Sequence, residues 1–464
     1  MLFNSPVFIF IFLPLVLIGY FTLNRYHLLL AGKSWLVLAS LFFYSYWNPV
    51  YLPLILASML VNYALGTTMG KQSEQAPRYS RRFILIGGVV TNLGLLGYYK
   101  YADFFLDNLA GVTGADFEPL NLALPLAISF FTFQQVAYLV DSYQGETREY
   151  DFLNYCLFVT FFPQLIAGPI VHHGEMMPQF ERLRTKLLSY KNLSAGLFIF
   201  ILGLFKKVVI ADTFAQWASI GFDHTDEVTF LGAWVVSLSY ALQLYFDFSG
   251  YTDMAVGAAR MFNIKLPLNF NSPYKALSIQ DFWRRWHMTL SRWLRDYLYI
   301  ALGGNRRGAF MTYINLFLTF LLGGLWHGAG WTFVIWGAMH GFGTTLHKLW
   351  QTTGIKLPRW SAWLVTFLFV NFAWVFFRAK SFSDADKILS GMLSFQGVAL
   401  PEGIKSNAVT WVVVGMLLTV FAPNSMELAR RFKPTWAVTI FTLILALAAI
   451  FNLEQVSEFL YFQF

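Results

Sequence analysis

The sequence predicts an all-α, polytopic membrane protein: one domain, 1–464, of roughly ten to twelve transmembrane or re-entrant helices. Three observations carry that expectation. Charged residues make up 12% of the chain and hydrophobic ones 57%, whereas soluble domains carry about a quarter charged residues. Apolar runs close to 20 residues long, the length a bilayer requires, recur along the whole chain. The basic residues behind the net charge of +8 fall in short clusters between those runs, as in cytoplasmic loops, and not in a nucleic-acid-binding face. The single cysteine, Cys156, lies in LNYCLFVTFF and excludes an internal disulfide or a cysteine-based metal site.

The N-terminal part, 1–150, reads as a set of spans. VFIFIFLPLVLIGYFTL (7–23) is expected to be a retained first span, since no positive segment precedes it and no small-residue cleavage site follows. Residues 34–47 and 50–69 form a pair turned at Asn48-Pro49, followed by a basic loop with Lys71, Arg78, Arg81 and Arg82. A span at 83–101 leads to an acidic loop with Asp103, Asp107, Asp116 and Glu118, and 120–140 returns. Basic loops stay in the cytoplasm, so the N-terminus and the acidic loop are expected outside.

The middle part, 153–350, holds the chemistry. FFPQLIAGPI, within 153–171, has two prolines and a glycine, which predict a broken or re-entrant segment buried in protein or lining a cavity. A basic, amphipathic stretch from Glu181 to Lys191 is expected on the inner surface. A span from about 193 and another over 228–246 flank an outer loop with Asp223, Asp226 and Glu227. Residues 251–307 contain no clear span and many arginines, which puts them on the cytoplasmic side. Two apolar segments, 310–326 and 331–347, then dip in and return around WHGAG. Spans at 361–377, 408–422 and 436–451 complete a C-terminal part, 361–464, whose tail with Glu454 and Glu458 is expected outside.

His327, in GGLWHGAGW, is the leading candidate. Ionisable residues at membrane depth are functional candidates, and a desolvated imidazole is neutral near pH 7 and can act as a general base. His287, in RRWHMTLSRWLRDYLYI, borders a helical apolar face over 280–300. It fits either an interfacial helix or a catalytic pair with His327. Arg284, Arg285, Arg292 and Arg295 could grip the phosphates of a cytosolic cofactor or contact anionic lipid headgroups. Asp247, a carboxylate among aromatics, needs a partner and reads as structural. His172-His173 lack a third ligand, so no metal is expected there. His340 and His347 read as core or interface residues.

FFPQLIAGPIVHHGEMMPQF, LYFDFSGYTDMAVGAARMFNIKLPLNFNSPY, FWRRWHMTLSRWLRDYLYIALGGNRRG and GGLWHGAGWTFVIWGAMHG, in this order, resemble the membrane-bound O-acyltransferase family. The similarity is to its bacterial branch of alginate O-acetylation and teichoic acid D-alanyl transfer proteins. MLFNSPVFIFIFLPLVL and NFAWVFFRAKSFSDADKIL also resemble that branch. The resemblance implies a multi-helix body with a funnel from each side meeting near the catalytic histidine, which maps onto His327, with a second family histidine on His287. It further implies acetyl-CoA as acyl donor, no metal, and a bacterial inner-membrane location. A separate extracytoplasmic protein would receive the acetyl group and modify a polysaccharide. The competing expectations are a transporter or flippase without acyl transfer, and a lipid-acylating member of the same family.

Overall fold

The computed structural model describes residues 1–71, 78–147, 151–453 and 460, which form helices, turns and loops. Two compact units make up the chain: Met1–Phe200 with Thr252–Pro267, and Ile201–Tyr251 with Leu268–Phe464. The tail with Glu454 and Glu458, and most of the basic loop after Lys71, lie outside the described residues.

The first unit opens with a π-turn, Phe8–Phe12, that runs into α1 (Leu13–Arg25). Helices α2 (Leu29–Ser45) and α3 (Leu52–Lys71) follow, joined by a short turn at Asn48-Pro49 in which the Asn48 side chain accepts from Val50 N–H. Helix α4, Arg78–Thr113, is longer than the span expected at 83–101. Asp103 lies inside it, and its carboxylate accepts from Leu120 N–H at 2.7 Å and Asn121 N–H at 3.1 Å. The acidic side chain thus pins the loop that follows the helix.

After α5 (Ile128–Gln144) the chain breaks as the prolines predict, into α6 (Phe152–Thr160) and α7 (Phe162–Leu165). The break at Phe161 is buried, and its backbone groups find partners inside the protein. Phe162 N–H donates to Ser40 Oγ at 3.1 Å, and Gln164 Nε2 donates to the Phe158 carbonyl at 2.6 Å. This is the condition under which irregular backbone survives in apolar surroundings. His172 lies 3.9 Å from the Asp141 carboxylate, and His173, the first residue of α8 (His173–Glu181), packs against Phe158. The stretch from Glu181 to Lys191 holds one 3-10 turn, Leu183–Lys186, followed by extended chain, and not an amphipathic helix. Helix α9, Tyr190–Phe205, begins at its last two residues.

In the second unit α9 passes through a π-helix, Lys206–Ala211, into α10 (Asp212–Asp223). Helix α11, Phe230–Met261, continues past the expected end at 246. Gly250 does not stop it, because the missing side chain admits the α9 backbone: a Cβ there would lie 2.8 Å from the Gly203 carbonyl oxygen. The apolar face expected over 280–300 is not one helix. It divides into α12 (Ile279–Trp283), α13 (Met288–Trp293) and a π-helix, Leu294–Tyr299. The interruption falls at His287, whose φ of +42° is left-handed and incompatible with a continuing right-handed helix.

Helices α14 (Gly308–His327) and α15 (Trp331–Thr352) match the two dips around WHGAG. They are followed by α16 (Arg359–Arg378), α17 (Phe382–Leu393), α18 (Asn407–Phe421), α19 (Ser425–Arg430) and α20 (Trp436–Ile450). Among the described residues, six helical stretches are long and apolar enough to cross a membrane, with shorter apolar helices at α2, α18 and α20. The protein is a multi-pass, all-helical membrane protein.

Candidate active site

The α14–α15 hairpin is held by glycines. A Cβ on Gly337 would lie 2.6 Å from the Phe320 carbonyl oxygen and 2.9 Å from Gly324 Cα, and one on Gly341 would lie 2.9 Å from the Phe317 carbonyl oxygen. The two backbones therefore touch, the close approach that small residues permit between membrane helices. That contact places His327, the last residue of α14, at the closed end of the hairpin.

His327 is 3% exposed. Its ring meets Trp336 edge-on at 5.0 Å, Trp326 at 4.8 Å and Phe377 at 5.2 Å. Trp336 in turn contacts His340 at 4.7 Å. His340 is fully buried, and its Nδ1 accepts from the indole N–H of Trp283 at 3.1 Å. An indole can only donate, so Nδ1 carries the lone pair and His340 is the Nε2–H tautomer.

Trp283 forms part of the wall of a cavity of about 550 Å³, which Arg284, Arg292, Arg295, His347 and Lys348 also line. One chain of edge-on ring contacts, Trp283–His340–Trp336–His327, thus runs from a basic cavity to the buried imidazole. Arg295 is paired with its neighbour Asp296, Nε to Oδ1 at 2.7 Å. Arg285 lies outside this lining and bonds Asp281, Nε to Oδ1 at 2.9 Å, at the surface of α12.

His287 is also fully buried. Its Nδ1 lies 3.1 Å from Asn269 Oδ1, and Phe248 closes on the ring edge-on at 4.8 Å. Burial pushes its pKa down to about 3 from 6.5, so the imidazole is neutral. It joins the other site through rings: Phe270 lies 6.5 Å from His287 and 5.0 Å from Trp286, Trp286 lies 4.9 Å from Trp374, and Trp374 stacks on Trp336 at 5.7 Å.

Residues 10–382 match the model of the MBOAT, membrane-bound O-acyltransferase family. The chain belongs to that family. Among its relatives is a peptidoglycan O-acetyltransferase of Helicobacter pylori, 53% identical over 430 residues, 86% of this chain and 81% of that protein. A probable alginate O-acetylase of Pseudomonas aeruginosa is 41% identical over 439 residues, 93% of this chain and 82% of the relative. A teichoic acid D-alanyltransferase of Bacillus subtilis is 32% identical over 282 residues, 57% and 71% respectively. The protein is therefore an acyltransferase enzyme, which sets aside the transporter and flippase expectation.

In this O-acyltransferase, three of the four arginines singled out in the sequence share one cavity, and both candidate histidines sit in one aromatic body. Three residues escaped weight in the sequence: Trp336 and Trp283, which carry the chain of ring contacts, and Lys207, whereas Asn269, which holds His287, stands out there as a polar residue in apolar surroundings. The ammonium of Lys207 lies 2.7 Å from Asp247 Oδ1 and 2.8 Å from Asp212 Oδ1. Asp247 thus has its partner, the ammonium of Lys207. The lysine pair in LFKKVVIA interrupts an apolar run and is the signal that could have found it.

Proposed function

We propose that this acyltransferase passes an acetyl group from cytoplasmic acetyl-CoA through the membrane to an extracytoplasmic protein that O-acetylates a polysaccharide. The observation that carries the reading is the chain of edge-on ring contacts linking a basic cavity to a buried, ring-enclosed histidine. Arg284, Arg292 and Arg295 bind the phosphates of the donor from the inner face, where guanidinium groups make bidentate, charge-assisted bonds. The acceptor hydroxyl approaches His327 from the outer side. Its oxygen attacks the thioester carbonyl carbon as His327 takes the hydroxyl proton. The carbon–sulfur bond then breaks, and the proton passes to the departing thiolate, leaving an acetyl ester, a free thiol and a neutral imidazole.

His287 belongs to the same site and orients a substrate. Base catalysis accounts for about 10²–10⁴-fold, so alignment of two substrates in a dry passage supplies much of the remaining acceleration. The names of the relatives, peptidoglycan and alginate O-acetylation, support a polysaccharide over a lipid acceptor. The site residues need no metal for this chemistry. The protein resides in the bacterial inner membrane with both termini outside.

The test is His327→Ala in purified protein and in cells. Transfer of label from acetyl-CoA and the ester-bound acetate of cell polysaccharide should both vanish, while protein abundance and the helical circular-dichroism signal stay normal. Retained acetylation in that variant defeats the assignment.

A further inference from the structure

One oxygen organises the bend at His287. Asn269 Oδ1 accepts from the backbone N–H of Thr289 at 3.2 Å and from Thr289 Oγ1 at 2.9 Å, and it lies 3.1 Å from His287 Nδ1. The Asn269 backbone carbonyl accepts from Met288 N–H at 2.9 Å. Asn269 is 0% exposed and so is His287. A backbone N–H can only donate, so the atom facing Thr289 is the carboxamide oxygen and not its nitrogen. The same oxygen has only acceptor capacity toward the imidazole. His287 Nδ1 must therefore carry the proton, and Nε2 carries the lone pair.

The backbone agrees. His287 has φ +42°, a left-handed conformation that costs a non-glycine residue energy and persists where the surroundings impose it. Asn269 imposes it by holding residues 287 and 289 with its side-chain oxygen and residue 288 with its backbone carbonyl. Phe248 stands edge-on against the ring and blocks its reorientation.

We propose that Asn269 is a positioning residue that locks His287 in the Nδ1–H tautomer, so that Nε2 serves as a hydrogen-bond acceptor toward an O–H or N–H group of a substrate. The catalytic consequence rests on the reading of His287 as part of the acyl-transfer site; the tautomer does not. A protonated imidazole or the Nε2–H form would present a donor and could not play this part. Asn269→Asp keeps an acceptor oxygen for all three donors, whereas Asn269→Leu removes it at similar size.

The experiment is nitrogen NMR of histidine-labelled full-length protein in lipid nanodiscs, with the His287 signals assigned by their disappearance in His287→Gln. The expected spectrum has a protonated Nδ1 and a bare Nε2, kept in Asn269→Asp. In Asn269→Leu the tautomer preference should be lost and kcat should drop roughly tenfold, the scale of one forgone buried hydrogen bond, with KM for acetyl-CoA little changed. Should Asn269→Leu fail to accumulate, the wild-type spectrum alone decides. An Nε2–H signal for His287 in wild type overturns the proposal. Full acyl transfer by His287→Gln with the Nδ1–H tautomer confirmed would instead overturn only the placement of His287 in the active site.

Discussion

Lys207 holds two carboxylates in a part of the chain that is otherwise apolar: its own side chain is 3% exposed and that of Asp247 is 2% exposed. Paired buried charges recover through proximity what they lose by leaving water, but a single partner left behind is costly, about 3–5 kcal/mol. Lys207→Met strands Asp212 and Asp247 together, so its thermal unfolding in detergent should shift well below that of the parent. Adding Asp212→Asn and Asp247→Asn to Lys207→Met should restore most of the loss. An unshifted midpoint for the single variant would contradict the pairing. The need for a partner at Asp247 was readable from sequence, because a carboxylate among phenylalanines and tyrosines has few other options. Its identity was not, since Lys207 approaches from a different helix and linear spacing carries no record of that meeting.

At the scale of elements, the hairpin of α14 and α15 depends on backbone contact. A methyl group on Gly337 must displace main-chain atoms of Phe320 and Gly324, which cannot rotate away as a side chain could. Overpacking of this kind costs about 1–3 kcal/mol, sometimes more. Gly337→Ala should lower both the unfolding midpoint and acyl transfer. Gly330→Ala, whose Cβ would meet atoms no nearer than 3.6 Å, should leave both close to the parent. Equal behaviour of the two variants would show that the hairpin is not held this way. The dips at 310–326 and 331–347 and the break after Thr160 were legible, since apolar length and proline chemistry act locally. The helix expected over 280–300 was not. Its periodicity is correct, yet the turn at His287 is imposed by Asn269, eighteen residues earlier in the chain, through bonds that no local pattern encodes. Likewise α11 runs through Gly250 because a neighbouring helix needs the room, a reason that lies outside its own residues.

Considered as a whole, the molecule surrounds the His327 imidazole with rings. Trp326, Trp336 and Phe377 meet His327, and Trp374 backs Trp336. None of these side chains is needed to take up a proton, and the aromatic wealth of the sequence, 19%, gave no hint of which rings would gather here. Their collective effect is to exclude bulk water, which strengthens polar interactions inside and limits side reactions. A thioester is prone to attack by any nearby hydroxyl, water included. On the proposed reading, an acyltransferase passing acetyl groups through the membrane would squander its donor if solvent followed the substrate inward. Trp336→Ala should therefore open the sheath and shift the partition of acetyl-CoA from transfer toward release of free acetate. The ratio of acetate to ester product, measured with and without acceptor, reports that leak. On this view the indoles are the seal that keeps a transferase from becoming a thioesterase.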